Sequence, residues 1–307
     1  MNSLRISIVQ YLNTAPLVRG FTHGPLRGKY QLSFTVPSQC AEALRAGGVD
    51  IAIIPAIELQ RIGGLVVLPN LSISSKKSVR SLLLVSKKPI HEVRRIALDR
   101  SSRSTQTLVR ILCAKRWQIT PEFFEADPDL PTMLQQADAA LLIGDPALRL
   151  ALNSETNSNR DASGELLLPA ELAGLSSSSP LFLYDVVEKW RALTSLPAVL
   201  AVWAARASIV TPEVVRDFQD SLAFGMQHLS EISAEASHEL NLPAQKITRY
   251  LTENIDYTLD EENLRGLRRY FFFAAELGLI PELQGIAFAP EPGGPLRYHD
   301  YVVGRKS

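Results

Sequence analysis

Short apolar segments alternate with helical segments through the first half of this 307-residue chain. The clearest apolar segments are Leu4–Val9, Val49–Ile54 and Ser81–Val85, each long enough for one strand. Between them, apolar residues recur at helical spacing, as in Cys40–Ala46. The alternation predicts an α/β fold with a parallel sheet and right-handed crossovers. Ligands of such sheets bind at the carboxyl ends of strands, so the polar loops that follow these segments are the places to search.

The second half of the chain has a different pattern. After Trp203 the apolar spacing predicts three amphipathic helices over Pro212–Ala236, Ala244–Thr252 and Asp260–Leu277. A length of about 150 residues per domain gives two domains as a starting estimate.

Two long apolar strands, Ser81–Val85 and Ala198–Trp203, flank a middle block and suggest a chain that leaves one domain and later returns to it. We therefore predict two lobes joined by two hinge strands, with a ligand in the cleft between them. The predicted divisions are 1–87 for the first part of lobe 1, 88–196 for lobe 2, and 197–307 for the return to lobe 1 with the C-terminal helices. Two independent domains in linear order are the structural alternative.

Charge and composition exclude several classes of protein. Lys and Arg together number 32, as do Asp and Glu, so the net charge is zero and no broad basic field for nucleic acid is predicted. Cys40 and Cys113 lack the spacing of a disulfide framework or metal site, and we expect buried thiols. The five histidines are scattered, so we predict no metal site.

The N-terminal residues and the hydropathy predict a cytoplasmic protein without membrane contact. No segment resembling a secretory signal precedes the first strand, and no run of about 18 apolar residues is present.

The first polar loop, which follows the first predicted strand, contains Tyr11, Asn13 and Thr14. The Asn13 amide offers two hydrogen-bond donors and an acceptor to a ligand. The alternative is that Asn13 only caps the helix that follows.

A second polar loop, Ser101–Thr105, begins another helix. Hydroxyls and free backbone N–H groups at a helix N-terminus suit a carboxylate or phosphate, so Ser102, Ser104 and Thr105 are candidate anion ligands. The alternative is a helix cap without a ligand. Arg103 either adds charge to the site or points to solvent.

Two further candidates lie at strand ends. Ser81 begins an apolar strand, where it either donates to a substrate carboxylate or has a structural role. Gly144 follows another apolar strand and permits close backbone approach. We expect Asp145 to cap the next helix rather than act as an acid or base.

Seven segments in order carry a resemblance to a known family. They are Tyr11–Leu17, Val49–Pro55, Val79–Ser86, Ser102–Thr105, Ile143–Ala147, Tyr184–Asp185 and Leu196–Ala204. Together they resemble the menaquinone-biosynthesis family that contains chorismate dehydratase, over residues 4 to 280. Each segment is weakly specific alone, and the specificity lies in their ordered combination.

The resemblance implies a cytoplasmic enzyme with the type-2 periplasmic-binding-protein fold and no metal or organic cofactor. It implies conversion of chorismate, a small-molecule substrate, to 3-[(1-carboxyvinyl)oxy]benzoate and water, the first step of the futalosine route. Asn13 and Ser81 would be catalytic. The implied substrate contacts are Tyr11, Thr14, Ser102, Ser104, Thr105, Gly144 and Asp145. Arg103 departs from the small residue expected, and a homodimer is left open.

Three alternatives come from other classes. A non-catalytic binding protein of this fold would normally carry a secretory signal or a lipobox cysteine. A related enzyme of the same pathway cleaves cyclic dehypoxanthine futalosine, but the segment Tyr11–Leu17 favours the dehydratase. The sensing half of a transcription regulator would need an N-terminal helix-turn-helix, where this chain has a predicted strand.

Overall fold

Two separate β-sheets organise the chain, which crosses between them twice. The structure is a computed structural model that describes residues 3–154, 159–161, 164–175, 179–290 and the strand at 297–299. We call each sheet with its helices a lobe.

The first sheet is mixed. Its strands, in spatial order, are β14 (Arg297–His299), β13 (Ile286–Phe288), β4 (Leu65–Ser75), β12 (Ala198–Arg206), β3 (Ile51–Pro55), β1 (Arg5–Val9) and β2 (Gln31–Thr35). Strand β1 pairs in parallel with β2 and β3, whereas β12 runs antiparallel to β3 and β4. The carboxyl ends of β1 and β3 therefore lie at the same edge of the sheet, which is where ligands of such sheets bind.

The second sheet repeats this arrangement. Its strands, in spatial order, are β7 (Glu122–Ala126), β6 (Arg95–Asp99), β8 (Ala139–Ile143), β5 (Leu82–Ser86), β11 (Leu181–Asp185), β10 (Leu166–Leu168) and β9 (Asn159–Arg160). Strand β6 is parallel to β7 and β8, and β5 is antiparallel to β8 and β11.

The predicted parallel pairing is present in β1–β2, β1–β3, β6–β7 and β6–β8, but both sheets also contain antiparallel strands. Strands β5 and β12 each come directly after a crossing, and the chain enters the new sheet from the opposite end, so both run antiparallel to their neighbours. Because β5 belongs to the second sheet, the first crossing falls at residues 76–81, before the predicted boundary at 87. The rest of the division into domains stays a prediction. Within the predicted return to lobe 1 over 197–307, residues 291–296 and 300–307 lie outside the described part of the chain.

Helices cover both sheets. They are α1 (Ala15–Thr22), α2 (Pro37–Arg45), α3 (Arg103–Leu112), α4 (Leu130–Gln136), α5 (Gly144–Ser154), α6 (Val186–Thr194), α7 (Pro212–Gln227), α8 (Leu229–Leu240), α9 (Ala244–Arg249) and α10 (Glu261–Glu276). The single helix predicted over Pro212–Ala236 is two helices that meet at His228, whose ring Nδ1 hydrogen-bonds to the Phe224 carbonyl. In the described part of the chain, no helix has both the length and the apolar composition needed to cross a membrane.

One large core joins the two lobes. It includes Trp203 from β12, Leu108 from α3 and Leu84 from β5, while Leu83 and Val85 on the opposite face of β5 pack in a separate, smaller core. Because α3 contributes to the shared core, its N-terminus is held at the junction of the lobes. Cys40 and Cys113 are buried free thiols, as predicted.

Candidate functional site

Three polar side chains meet between the lobes. The Tyr250 hydroxyl, in the helical turn Tyr250–Asn254 that follows α9, donates a hydrogen bond to Ser81 Oγ at 2.9 Å. The Asn13 side chain lies beside the same hydroxyl and acts to lower its pKa, against the larger effect of burial. The two predicted catalytic residues are thus brought together through a tyrosine, and Asn13 does not cap α1, whose N-cap residue is Thr14.

Sequence reasoning missed Tyr250. It lies in a predicted amphipathic helix, where an aromatic residue is typical of core packing, and no local motif marks it. Its side chain is 1 % exposed, and burial raises the pKa of its hydroxyl well above the usual range. The phenol therefore stays protonated and remains a hydrogen-bond donor at physiological pH.

A buried carboxylate fixes the backbone before Ser81. Asp185 Oδ2 accepts from the backbone N–H groups of Val79 and Arg80 at 3.0 and 2.7 Å, and Oδ1 caps α6. Arg80 has a left-handed φ of 64°, a backbone conformation that residues other than glycine rarely adopt. Asp185 thereby holds Ser81 in place, a role that the sequence did not suggest.

Tyr11 connects the first lobe to the second. Its hydroxyl lies 3.3 Å from Ser101 Oγ, which in turn donates to Asp99 Oδ1 at 2.6 Å. Since the Ser101 proton is used for Asp99, Tyr11 donates to Ser101. Burial raises the pKa of Tyr11 to about 12 and also raises that of Asp99.

Gly144 allows the Tyr11 ring to lie against the start of α5. Its φ is 68°, and a Cβ at this position would stand 2.6 Å from a Tyr11 ring carbon. The close approach expected at Gly144 is therefore present, and in this structure the neighbour is the ring of Tyr11. A substrate contact at Gly144 stays a prediction.

Asp145 does not cap the helix that it begins, so that prediction is wrong. Its Oδ1 accepts the backbone N–H of Leu12 at 3.0 Å, which is a second contact between the opening loop and the second lobe. Burial raises the pKa of Asp145 to about 6, with the Leu12 hydrogen bond acting in the opposite direction.

The pKa of Asp145 predicts a pH dependence of stability. Because its folded pKa lies above the unfolded one, the folded chain binds more protons between about pH 4 and 6, and the free energy of unfolding falls as the pH rises. Asp145→Asn should remove roughly 3 kcal/mol of this decline in the free energy of unfolding. Thermal unfolding at a series of pH values measures this change in stability. Asp220→Asn is the control, because Asp220 is exposed. Equal declines in all three proteins would contradict the expectation.

The start of α3 carries the second group of candidates. Ser102, the N-cap residue, makes no side-chain hydrogen bond to the helix amides, and its Oγ instead lies 2.9 Å from Thr105 Oγ1. Ser104 Oγ accepts the backbone N–H of Ile57 at 3.1 Å, so this hydroxyl joins the lobes. The structure thus leaves Ser102, Thr105 and the first amides of α3 as the more available donors.

Arg103 follows neither of the two interpretations drawn from the sequence. Its Nη1 pairs with Glu42 at 2.6 Å and lies 3.4 Å from Glu58, both in the first lobe. Glu58 is fully buried and also pairs with Arg45 and Arg61. Arg103 therefore connects α3 to the first lobe and leaves neutral donors at the helix start.

Tyr11, Thr14 and Asp145 also line a cavity of about 320 Å³ on the first lobe. Its charged lining residues are Arg19, Asp145, Glu235 and Glu239, and Arg19 already pairs with Glu235 at 2.6 Å. An anion would meet more negative than positive charge there. Asn13 and Ser81 are not among its lining residues, so the cavity is separate from the Asn13–Tyr250–Ser81 cluster. In the described part of the chain, no group of three or more His, Cys, Asp or Glu is placed to hold a metal ion.

Comparisons with known proteins give both a family and a fold. A family model described as menaquinone biosynthesis matches residues 4–276. Chorismate dehydratase of Thermus thermophilus is 27 % identical over 279 residues, covering 89 % of this chain and 95 % of that protein.

Solved structures share the architecture at low identity. Protein AF1704 of Archaeoglobus fulgidus has a TM-score of 0.68 at 17 % identity, over 90 % of this chain and 98 % of that one. The periplasmic aliphatic sulphonate-binding protein SsuA of Escherichia coli has a TM-score of 0.59 at 17 % identity, over 100 % and 99 %. The predicted two-lobed periplasmic-binding-protein fold is thus confirmed.

Proposed function

We propose an activity from the premise that this chain belongs to the menaquinone biosynthesis family, whose model spans residues 4–276. Membership gives the chain a role in menaquinone biosynthesis. The proposed activity is the dehydration of chorismate to 3-[(1-carboxyvinyl)oxy]benzoate. This reaction would be the first step of the futalosine route to menaquinone, and it would take place in the cytoplasm. The relative from Thermus thermophilus that is named chorismate dehydratase supports this choice.

The site offers neutral donors to a dianion. Chorismate carries two carboxylates, and the net charge of the chain is zero. Ser81 would hold one carboxylate, and Ser102, Thr105 and the amides at the start of α3 would hold the other. Arg103, the cation at the start of α3, is already paired with Glu42 and Glu58 and so does not supply the charge.

The reaction needs one proton acceptor and one leaving group. The ring C–H bond at the carbon bearing the enolpyruvyl ether breaks, and its electron pair forms a ring double bond. The neighbouring hydroxyl leaves and takes up the removed proton to form water, and the ring becomes aromatic. Because aromaticity favours the product, modest assistance from the protein is sufficient.

We assign the proton acceptor to the side-chain carboxylate of the substrate itself. The buried carboxylates nearest the cluster are occupied: Asp185 accepts backbone N–H groups, and Asp145 accepts from Leu12. Asn13 would orient the reacting groups and stabilise developing charge, as preorganised neutral donors do. The contacts between the lobes would exclude water during the reaction.

One observation carries the proposal: Asn13 and Ser81, far apart in the sequence, both lie at the Tyr250 hydroxyl at the junction of the lobes, and that hydroxyl donates to Ser81. A solute-binding protein would need donors to an anion there as well. Family membership and the named relative favour the enzyme over the binding protein.

The test is to incubate the purified chain with chorismate and to separate the products by chromatography. We expect loss of chorismate and an equal gain of the aromatic enol ether, with no product from heat-denatured protein. Unchanged chorismate together with tight binding of another anion would favour the binding protein. Turnover of cyclic dehypoxanthine futalosine instead would favour the related enzyme.

A further inference from the structure

The hydrogen bonds around Tyr250 have a direction. The Asn13 side chain lies beside the Tyr250 hydroxyl and acts to lower its pKa, but the hydrogen bond that the hydroxyl makes is to Ser81. Tyr250 then donates its single proton to Ser81 Oγ. Each hydroxyl can donate once, so Tyr250 uses its proton on Ser81, and the Ser81 proton is left for another acceptor.

The hydroxyl proton of Ser81 has a poor acceptor. Ser81 Oγ lies 3.4 Å from the Val79 carbonyl, beyond the usual length of an O–H···O hydrogen bond. Ser81 is 1 % exposed, so water does not easily provide a replacement. A buried donor without a good acceptor is costly, and a ligand acceptor would remove that cost.

We propose that Tyr250 is a positioning residue: by donating to Ser81, it directs the Ser81 proton toward the ligand and makes this position selective for a carboxylate. An ionised carboxylate only accepts hydrogen bonds, whereas a carboxamide also brings N–H donors. The inference rests on the proposed function for the identity of the ligand. The preference of the Ser81 position for an acid over an amide, however, can be measured by binding alone, without turnover.

The first measurement compares Tyr250→Phe with the wild-type chain in chorismate kinetics. Loss of the directing hydrogen bond should raise KM roughly tenfold, while kcat stays within a few-fold, because the weakened contact involves binding of a carboxylate. The matched control is Tyr257→Phe. Tyr257 is also buried, and its hydroxyl has no hydrogen-bond partner among the described residues, so the KM of Tyr257→Phe should equal that of the wild-type chain.

A double-variant cycle separates positioning from a general structural effect. If Tyr250 acts through Ser81, Tyr250→Phe should add almost nothing to the KM of Ser81→Ala. Additive effects of the two substitutions on KM would overturn the proposal.

The second measurement uses 3-hydroxybenzoate and 3-hydroxybenzamide as binding probes in calorimetry. The wild-type chain should bind the acid about tenfold more tightly than the amide, and Tyr250→Phe should lose this preference. Ser81→Ala, which removes the hydroxyl that Tyr250 directs, should lose it as well and replaces Tyr250→Phe if that variant does not fold.

The outcomes distinguish the two proposals. No turnover of chorismate, together with an acid preference that disappears in Tyr250→Phe, would contradict the dehydratase and support the positioning role. Turnover with an unchanged KM and acid preference in Tyr250→Phe would overturn the positioning role alone. A wild-type chain that does not prefer the acid would overturn it too.

Discussion

Chorismate turnover by the Ser81→Ala variant is expected to fall about a hundredfold or more below that of the wild-type chain. The substitution removes the hydroxyl that would hold a substrate carboxylate and to which Tyr250 donates. A preorganised donor in a buried site contributes more than in water, because it needs no reorganisation during the reaction. The measurement is kcat/KM for purified, folded protein.

Asn13→Ala should lower the turnover to a similar extent, since it removes the only amide of the cluster. Ser86→Ala is the matched control, because Ser86 is buried at the other end of β5 and donates to the Lys88 carbonyl, away from the cluster. Its kcat/KM should stay within a few-fold of the wild-type value. Wild-type turnover in both Asn13→Ala and Ser81→Ala would show that the assignment of the site is wrong.

Gly225→Ala is expected to destabilise the chain by about 2–3 kcal/mol, although alanine normally stabilises a helix. Gly225 lies in α7, and a Cβ there would stand 2.0 Å from the carbonyl oxygen of Pro16 in α1. Since this neighbour is backbone, it can yield only if α1 moves. The opening loop with Asn13 immediately precedes α1, so turnover should fall together with stability.

Thermal unfolding measures the effect of Gly225→Ala, and the expected decrease in Tm is roughly 5 °C. Gly63→Ala is the control, because a Cβ at Gly63 would meet no atom within 4 Å. Its free energy of unfolding should change by less than about 0.5 kcal/mol. An unchanged Tm in Gly225→Ala would contradict the close packing of α1 on α7.

The elements that the sequence predicted well are those whose apolar pattern is continuous. The first strand was predicted over Leu4–Val9 and is observed as β1 at Arg5–Val9. The direction of β5 could not be predicted, because an apolar run does not show from which end the chain enters a sheet. The break at His228 was missed for a similar reason: apolar spacing continues on both sides of it.

The candidate site could be predicted only where its residues follow a strand or begin a helix. Asn13, Ser81 and Ser102 were found in this way. Tyr250 and Asp185 act through contacts between distant segments, with Ser81 and with the backbone of Val79 and Arg80 respectively. Ser104 has the residue type and position of an anion ligand, yet its partner is the Ile57 amide, which lies in the other lobe.

The contacts that hold the lobes together also govern how fast a ligand can bind. In this structure the Ser38 N–H donates to the Ser101 carbonyl, Arg103 pairs with Glu42, and Ser81 is buried. If Ser81 holds the ligand as proposed, the ligand reaches it only in molecules in which these contacts have opened. The association rate constant therefore equals the intrinsic one multiplied by the open fraction, and each change that strengthens the contacts slows capture as well as escape.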